Sequence, residues 1–304
     1  MRFVTYDRDG CAQPALLRDG ELVDLTGVSS VLDLIQHGEE GMQIARAALG
    51  RPGTVPVDRV RLLAPIPEPA RFVLATGWNY LGHFDEGVGK RDDEVTKLPE
   101  YPSFFAKADT TITGPTDAIP YDATLTEQLD AEAEIAVVVG AGGRSIPVDQ
   151  VGRHLFGYTL ANDVSARDLQ RRHGGQWLKG KSIDRSCPLG PYLVTADEFP
   201  LSEPLDIKCS INGDVLQDAT TDLMIFSIPE LVSALSEAMT LRPGDILLTG
   251  TPQGVGYARI PPRYLSPGDE VVVSSTQLGE LRNRVVEQSL TTYLSDTTEA
   301  ATQS

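Results

Sequence analysis

In the segment LDAEAEIAVVVG, residues 129 to 140, Asp130, Glu132 and Glu134 recur at every second position ahead of an unbroken apolar run, Ile135 to Val139. In an extended chain such residues share one face, with side-chain bases about 6.5–7 Å apart, so two carboxylates can reach one cation between them. The same row of like charges entering a core repels itself and loses hydration unless something compensates it. Spacing alone leaves two readings open: ligands for a hard divalent cation, or acids on a solvated strand face.

A third oxygen ligand is available in YTLANDVSARD, residues 158 to 168, where Asp163 falls at a strand-to-turn junction. Three carboxylates on an octahedral cation such as Mg²⁺ or Mn²⁺ would leave roughly three positions for water or a chelating substrate, and a 2-oxo acid presents two suitable oxygens. In GWNYLGHFDEG, residues 77 to 87, His83 and Glu86 stand three apart, close enough for the carboxylate to orient the imidazole as a general base; surface pairs have the same spacing. Lys181, in GKSIDRSCPLGP at 180 to 191, reads either as a surface lysine or as a cation that stabilises negative charge on a substrate. The basic run Arg171, Arg172 and His173 is either a solvated cluster or a contact for a distal carboxylate. His37 and His154 lie outside any motif and read as structural or surface residues.

Positioning these groups falls to strand-like runs, RFVLATG, EIAVVVG, LDIKCSING, DILLTG and DEVVVSS, broken by glycine and proline loops. One helix stands out in SIPELVSALSEAM: Ser227 and Glu230 have capping-box spacing, Pro229 sits in the first turn, and Leu231, Leu235 and Met239 form a stripe. Strands do not alternate regularly with helices, so the pattern predicts an α+β, predominantly β body rather than a doubly wound sheet. Ahead of it, residues 1 to 26 predict short strands with Asp-Gly turns at 8 to 10 and 18 to 20, and residues 30 to 49 predict one or two short helices ending at Gly50. Pro52, Pro56, Pro65, Pro67 and Pro69 then favour an extended connector. This places a small N-terminal domain over 1–68, a catalytic domain over 69–288 and a mobile polar tail over 289–304.

The 304 residues, 41% hydrophobic and 23% charged, are enough to bury a sizeable core. A formal net charge of −17 opposes non-specific binding to nucleic acid or anionic membranes and points to small-molecule partners. Cys11, Cys187 and Cys209 are widely spaced with no C-x-x-C pair, which indicates neither a disulfide framework nor a zinc site. MRFVTYDRDG has no apolar signal core and no run approaches the roughly 20 apolar residues of a membrane helix, so a cytoplasmic location is expected. VVVGAGG fails as a dinucleotide loop: Ser145 stands where the third glycine belongs, and Pro147 interrupts the helix that should follow. GTPQGVG, at 250 to 256, lacks the Gly-Lys-Ser/Thr of a phosphate loop.

Taken in order, the segments form a longer pattern. G-x-N-Y-x-x-H-x-x-E begins at Gly77, and F-x-K at 105 to 107 and E-A-E at 132 to 134 follow it. N-D-V-S-A-R-D-L-Q from Asn162, G-K-S-x-D from Gly180, P-x-G-P from Pro188, G-T-P-x-G-V-G from Gly250 and GELRNRV from Gly279 complete it. From about residue 71 to 286 this series resembles the fumarylacetoacetate hydrolase superfamily.

The resemblance implies a mixed β-sandwich roll, usually homodimeric, with a smaller N-terminal α+β domain. It implies that Glu132, Glu134 and Asp163 hold one Mg²⁺ or Mn²⁺ per subunit, that His83 and Glu86 form a water-activating dyad on a lid segment, and that Lys181 is the active-site lysine. Arg167, Gln170 and Lys107 fall on substrate contacts and Thr251 on a pocket-lining loop; Asp130 has no role in the pattern and reads as a supporting or surface acid. The implied reaction is hydrolysis of the carbon–carbon bond of a 2,4-diketo acid, an acylpyruvate or diketo sugar acid, to pyruvate and a carboxylic acid through a metal-stabilised enolate. Oxaloacetate decarboxylation, isomerisation or hydration of a 2-oxo-diene-dioate, and a non-catalytic binding role stay open beside it.

Overall fold

Asp9 and Gly10 have φ of 55° and 82°, and Asp19 and Gly20 have φ of 52° and 80°. This is the two-residue hairpin conformation that a short polar residue followed by glycine adopts at low cost. The two turns join Arg2–Arg8 to Cys11–Arg18 and Cys11–Arg18 to Glu21–Asp24 as antiparallel strands, as the sequence predicts. Helices Val31–Gln36 and Gly38–Ala48 follow, the first capped by the Ser30 side chain, which accepts from the Asp33 amide. The structure, a computed structural model, describes residues 1–90 and 97–291, so the expected tail lies outside the described residues from position 292 onward.

The N-terminal segment, expected as a small unit up to residue 68, is continuous with the body. Arg2–Arg8 pairs with Cys187–Thr195 through Arg2–Val194 and Phe3–Leu193, and Leu34 and Ile35 share one apolar cluster with Val138 and Leu189. Among the described residues the resulting sheet has twelve strands. Its centre runs in the order Cys187–Thr195, Leu155–Asn162, Ala133–Val139, Ile246–Leu248, Val73–Gly77, Ser103–Lys107, with only Ile246–Leu248 and Val73–Gly77 parallel among these neighbours. A second sheet, of five strands, is built on Asp206–Ile211, Glu270–Ser275 and Gly279–Glu287. Ile207, Val271 and Leu281 from it join Ile135, Val137 and Leu160 in one cluster, so the architecture is α+β and predominantly β, with sheet packed on sheet.

Every residue of Ala133–Val139 is buried because both faces of the strand are covered. Ile135 and Val137 enter the cluster shared with the second sheet, whereas Ala136 and Val138 enter the one shared with the N-terminal segment. A strand covered on both sides reads as a continuous apolar run instead of an alternation.

Ile228–Ser236 starts at the expected capping box: Ser227 accepts from the Glu230 amide while the Ser227 amide donates to Glu230 Oε2 at 2.7 Å. The helix ends earlier than the stripe predicts. Ala238 takes φ of 55°, which breaks the helical path, and Met239 reaches the core from beyond the helix end. Cys11, Cys187 and Cys209 are free, and among the described residues no helix is long and apolar enough to cross a membrane.

Leu160 is fully buried opposite Ile135 in the cluster that joins the two sheets. Leu160→Ala is expected to lower stability by about 2–5 kcal/mol, read as a lower urea midpoint; an unchanged midpoint would place this side chain outside the core.

Candidate active site

The register of two neighbouring strands assembles the carboxylates. Ala133 pairs with Asn162, so Glu132, just before one strand, meets Asp163, just after the other, and the Asp163 amide donates to the Glu132 carbonyl at 2.8 Å. Asn162 Oδ1 accepts from the Glu132 amide at 3.0 Å and fixes the same junction. Glu134, two residues on, lies on the side of the strand that carries Ala136 and Val138. Glu132, Glu134 and Asp163 are 4%, 1% and 0% exposed, and each offers an oxygen within 4.8 Å of the others.

Three buried cations surround them. Lys181 Nζ donates to Glu132 Oε2 at 2.5 Å and Asp163 Oδ2 at 2.6 Å. Arg167 Nη2 lies 2.6 Å from Glu132 Oε1 and 2.8 Å from Asp130 Oδ2. Lys107 Nζ donates to Asp163 Oδ1 at 2.7 Å and to the Val164 carbonyl at 3.1 Å. Burial disfavours an ionised Glu132, but the charges of Arg167 and Lys181 outweigh it and hold this carboxyl below its usual range. Burial would likewise discharge Lys181, yet Asp163 and Glu132 beside it keep its ammonium above the usual lysine range.

Glu134 is the exception. It accepts from the Gly250 amide at 2.7 Å, and among the described residues no lysine or arginine is paired with it. Burial first, then the charges of Asp163 and Glu132, push its carboxyl well above the usual range, with only partial relief from Lys181 and the Gly250 amide. One acid short of compensation inside a set of three convergent carboxylates fits a hard divalent cation, and the all-oxygen donor set suits Mg²⁺ or Mn²⁺. Glu132, Glu134 and Asp163 would hold it.

His83 belongs to the short helix Leu81–Glu86 and is 5% exposed. Its Nδ1 meets Glu86 Oε1 at 2.8 Å, and the other oxygen of Glu86 accepts from the Gly254 amide at 2.8 Å. With Glu86 ionised, Nδ1 carries the proton and Nε2 is left for chemistry. Asn79, two residues ahead of the helix, anchors it: its amide donates to the Phe226 and Thr249 carbonyls and its Oδ1 accepts from the Phe226 amide.

His83, Glu132, Glu134, Arg167, Gln170, Lys181 and Thr251 line a single cleft of about 200 Å³. Trp78, Phe105 and Trp177 form its apolar wall, with Trp177 edge-on to Trp78 at 4.8 Å and to Phe105 at 5.2 Å. Thr251 also braces the carboxylate strand, donating to the Ala133 carbonyl at 2.9 Å while accepting from Gln217 Nε2 at 2.8 Å. Lys107, expected among the substrate contacts, is fully buried behind Asp163 and does not line the cleft. His37 and His154 each bond a backbone carbonyl away from the cleft.

Asp130 is neither exposed nor a ligand. It is 1% exposed, accepts from Arg167 Nε at 2.9 Å, and takes the amides of Gly256 and Tyr257 at 2.7 and 3.1 Å. A side-chain carbon at Gly256 would stand 2.6 Å from Asp130 Oδ1 and 1.9 Å from the Arg263 carbonyl oxygen, so the close approach requires glycine. Sequence spacing groups Asp130 with the glutamates because it assumes one continuous strand. Instead Leu129–Asp130 is a separate short strand paired with Ser165–Ala166, which turns Asp130 toward Arg167. Gln217, Trp177 and Tyr257 carry no motif of their own in the sequence.

Residues 72–286 match the family described as fumarylacetoacetate (FAA) hydrolase C-terminal. An oxaloacetate tautomerase of Bacillus subtilis (strain 168) is 42% identical over 229 residues, 75% of this chain and 74% of that protein. A mitochondrial oxaloacetate tautomerase of Rattus norvegicus is 40% identical over 273 residues, 88% of this chain and 84% of that protein. The crystal structure of maleylpyruvate hydrolase from Sphingobium sp. SYK-6, in complex with manganese(II) ion and pyruvate, is similar with a TM-score of 0.76 at 29% identity, over 95% of this chain and 100% of that one. With the matched segment containing the carboxylate triad, the His83–Glu86 pair and Lys181, this chain belongs to the fumarylacetoacetate hydrolase family, a family of enzymes.

Proposed function

We propose that the protein catalyses keto–enol proton transfer at carbon 3 of a short 2-oxo acid bearing a carbonyl or carboxyl group at carbon 4, a class that includes oxaloacetate. The observation that carries this reading is the single cleft lined by Glu132, Glu134 and His83, with the fully buried Asp163 offering an oxygen within 4.8 Å of both glutamates and His83 itself held by Glu86. A divalent cation at the three carboxylates would supply electrophilic pull on the carboxylate and 2-keto oxygens of such an acid. The two tautomerase relatives act, by name, on oxaloacetate, and the Sphingobium enzyme holds manganese and pyruvate, which supports the same substrate class.

The chain's own groups then divide the work. Lys181 keeps a positive charge against the triad and stabilises negative charge that develops on the substrate. His83, in the tautomer set by Glu86, takes the carbon 3 proton through its free nitrogen and delivers it in the reverse direction. Trp78, Phe105 and Trp177 keep water from one side of the cleft. A volume of about 200 Å³ lies below the roughly 300–1,000 Å³ of pockets for drug-sized ligands and suits an acid of a few carbons.

A second reading uses the same residues. His83 backed by Glu86 also suits activation of a water against a carbon 4 carbonyl, which would hydrolyse a 2,4-diketo acid to pyruvate and a carboxylic acid; the similarity to a maleylpyruvate hydrolase favours it. Assembly as a homodimer belongs to the proposal in either case.

With oxaloacetate and Mn²⁺ or Mg²⁺, ultraviolet absorbance is expected to report accelerated enol decay that EDTA abolishes, either metal restores and Glu132→Ala removes. Activity that survives both EDTA and Glu132→Ala would rule out the metal-dependent reading. His83→Ala should lower kcat by about 10²–10⁴-fold, the usual contribution of a positioned acid–base group; undiminished turnover would remove His83 from the mechanism. Acetylpyruvate separates the two reactions: coupled-assay detection of pyruvate identifies the hydrolase, and enol decay with no pyruvate identifies the tautomerase.

A further inference from the structure

Arg171 follows Arg167 by one turn on the helix Arg167–Arg172, a spacing that puts both side chains on one face. Both guanidinium groups lie against the ring of Tyr257, with Cζ to centroid distances of 4.5 Å for Arg167 and 5.6 Å for Arg171. The ring of His83 meets the same Tyr257 edge-on at 6.4 Å, and all four residues line the cleft. Arg167 is committed to Asp130 and Glu132. Arg171 is half-buried, with its Nη2 at 3.3 Å from the Lys90 carbonyl. Arg172 and His173 are exposed and do not line the cleft, so one member of the basic run faces the chemistry.

We propose that Arg171 is the specificity-determining residue that receives the distal carboxylate of a 2-oxo diacid. The inference rests on the reading of the cleft as a 2-oxo acid site and adds which acids it prefers. In a four-carbon diacid the reacting carbon 3 is bonded to the carbon of the distal carboxylate, so the group that moves the carbon 3 proton and the group that grips that carboxylate must be neighbours. His83 and Arg171 both line the cleft, and each lies against the ring of Tyr257, at 6.4 Å and 5.6 Å from its centroid. An arginine suits the task because its planar guanidinium can donate two parallel hydrogen bonds to a carboxylate, and stacking on a ring limits the orientations it samples. The triad and Lys181 would then take the 2-oxo acid end, with His83 between the two ends.

The test compares oxaloacetate, pre-equilibrated between its tautomers, with pyruvate, which lacks the distal carboxylate, by titration calorimetry on Mn²⁺-loaded protein. Arg171→Met is expected to weaken oxaloacetate binding by about 10–100-fold, the range of a charge-assisted hydrogen bond, and pyruvate binding by less than about twofold. Arg171→Lys should recover part of the loss, and melting temperatures check that each variant is folded. Equal losses for both acids, or none for oxaloacetate, would overturn the role of Arg171. A wild-type protein that binds neither acid would overturn the 2-oxo acid reading and this proposal with it.

Discussion

Four carboxylates, Asp130, Glu132, Glu134 and Asp163, are buried close together, and the surrounding architecture compensates their charge. Removing a carboxylate from water is costly, and placing several side by side compounds the cost through mutual repulsion. Lys107, Arg167 and Lys181 answer part of it as buried cations, each in ion-pair contact with at least one of the acids. Three buried cations face four carboxylates, and Glu134, the one left without an ion pair among the described residues, has its carboxyl pushed well above the usual range by burial and by the charges of Asp163 and Glu132. Three convergent carboxylates with that deficit could hold a dication.

The stretch from Thr249 to Tyr257 converts this electrostatic arrangement into a rigid one. The Thr249 and Thr251 hydroxyls donate to the Ile135 and Ala133 carbonyls, which fastens the loop along the carboxylate strand. Its amides then reach three acids of different purpose: Gly250 to Glu134, Gly254 to Glu86, and Gly256 with Tyr257 to Asp130. One backbone segment therefore sets a proposed metal ligand, the carboxylate that orients His83, and the acid that orients Arg167. Its glycines answer two demands: Gly250 and Gly254 take φ of 95° and 108°, and at Gly256 a side-chain carbon would stand 2.6 Å from Asp130 Oδ1.

A chain with a formal charge of −17 repels an anionic acid at long range. On the proposed reading, with an anionic 2-oxo acid as substrate, physiological salt screens exposed charges beyond about 8 Å and the attraction would be generated inside the cleft. A dication at the triad would supply it, and the role proposed for Arg171 would add to it. The apolar wall of Trp78, Phe105 and Trp177 lowers the local polarity and so strengthens each of these interactions.

Features that depend on a few adjacent residues were legible in the chain: the two Asp-Gly hairpins, the capping box at Ser227, the apolar run of Ala133–Val139, and the spacing that aligns Glu132 with Glu134. Backbone conformation and near-neighbour hydrogen bonds govern each of them, and both are encoded locally. Ordered motifs also made the family legible, because side chains that share one reaction constrain many positions of one chain. Contacts across long sequence separations were not. Met239 lost its helical stripe position to a left-handed residue at 238, and Lys107 went behind Asp163 because the strand that carries it ends under that acid. Asp130 left the ligand row because a break after it lets its carboxylate meet an arginine 37 positions away. Local sequence thus specified which groups are present and how each strand and turn is shaped. Tertiary packing decided which carboxylates line the cleft and which cations each of them meets, because strand register and loop approach bring together charges that the chain order keeps far apart.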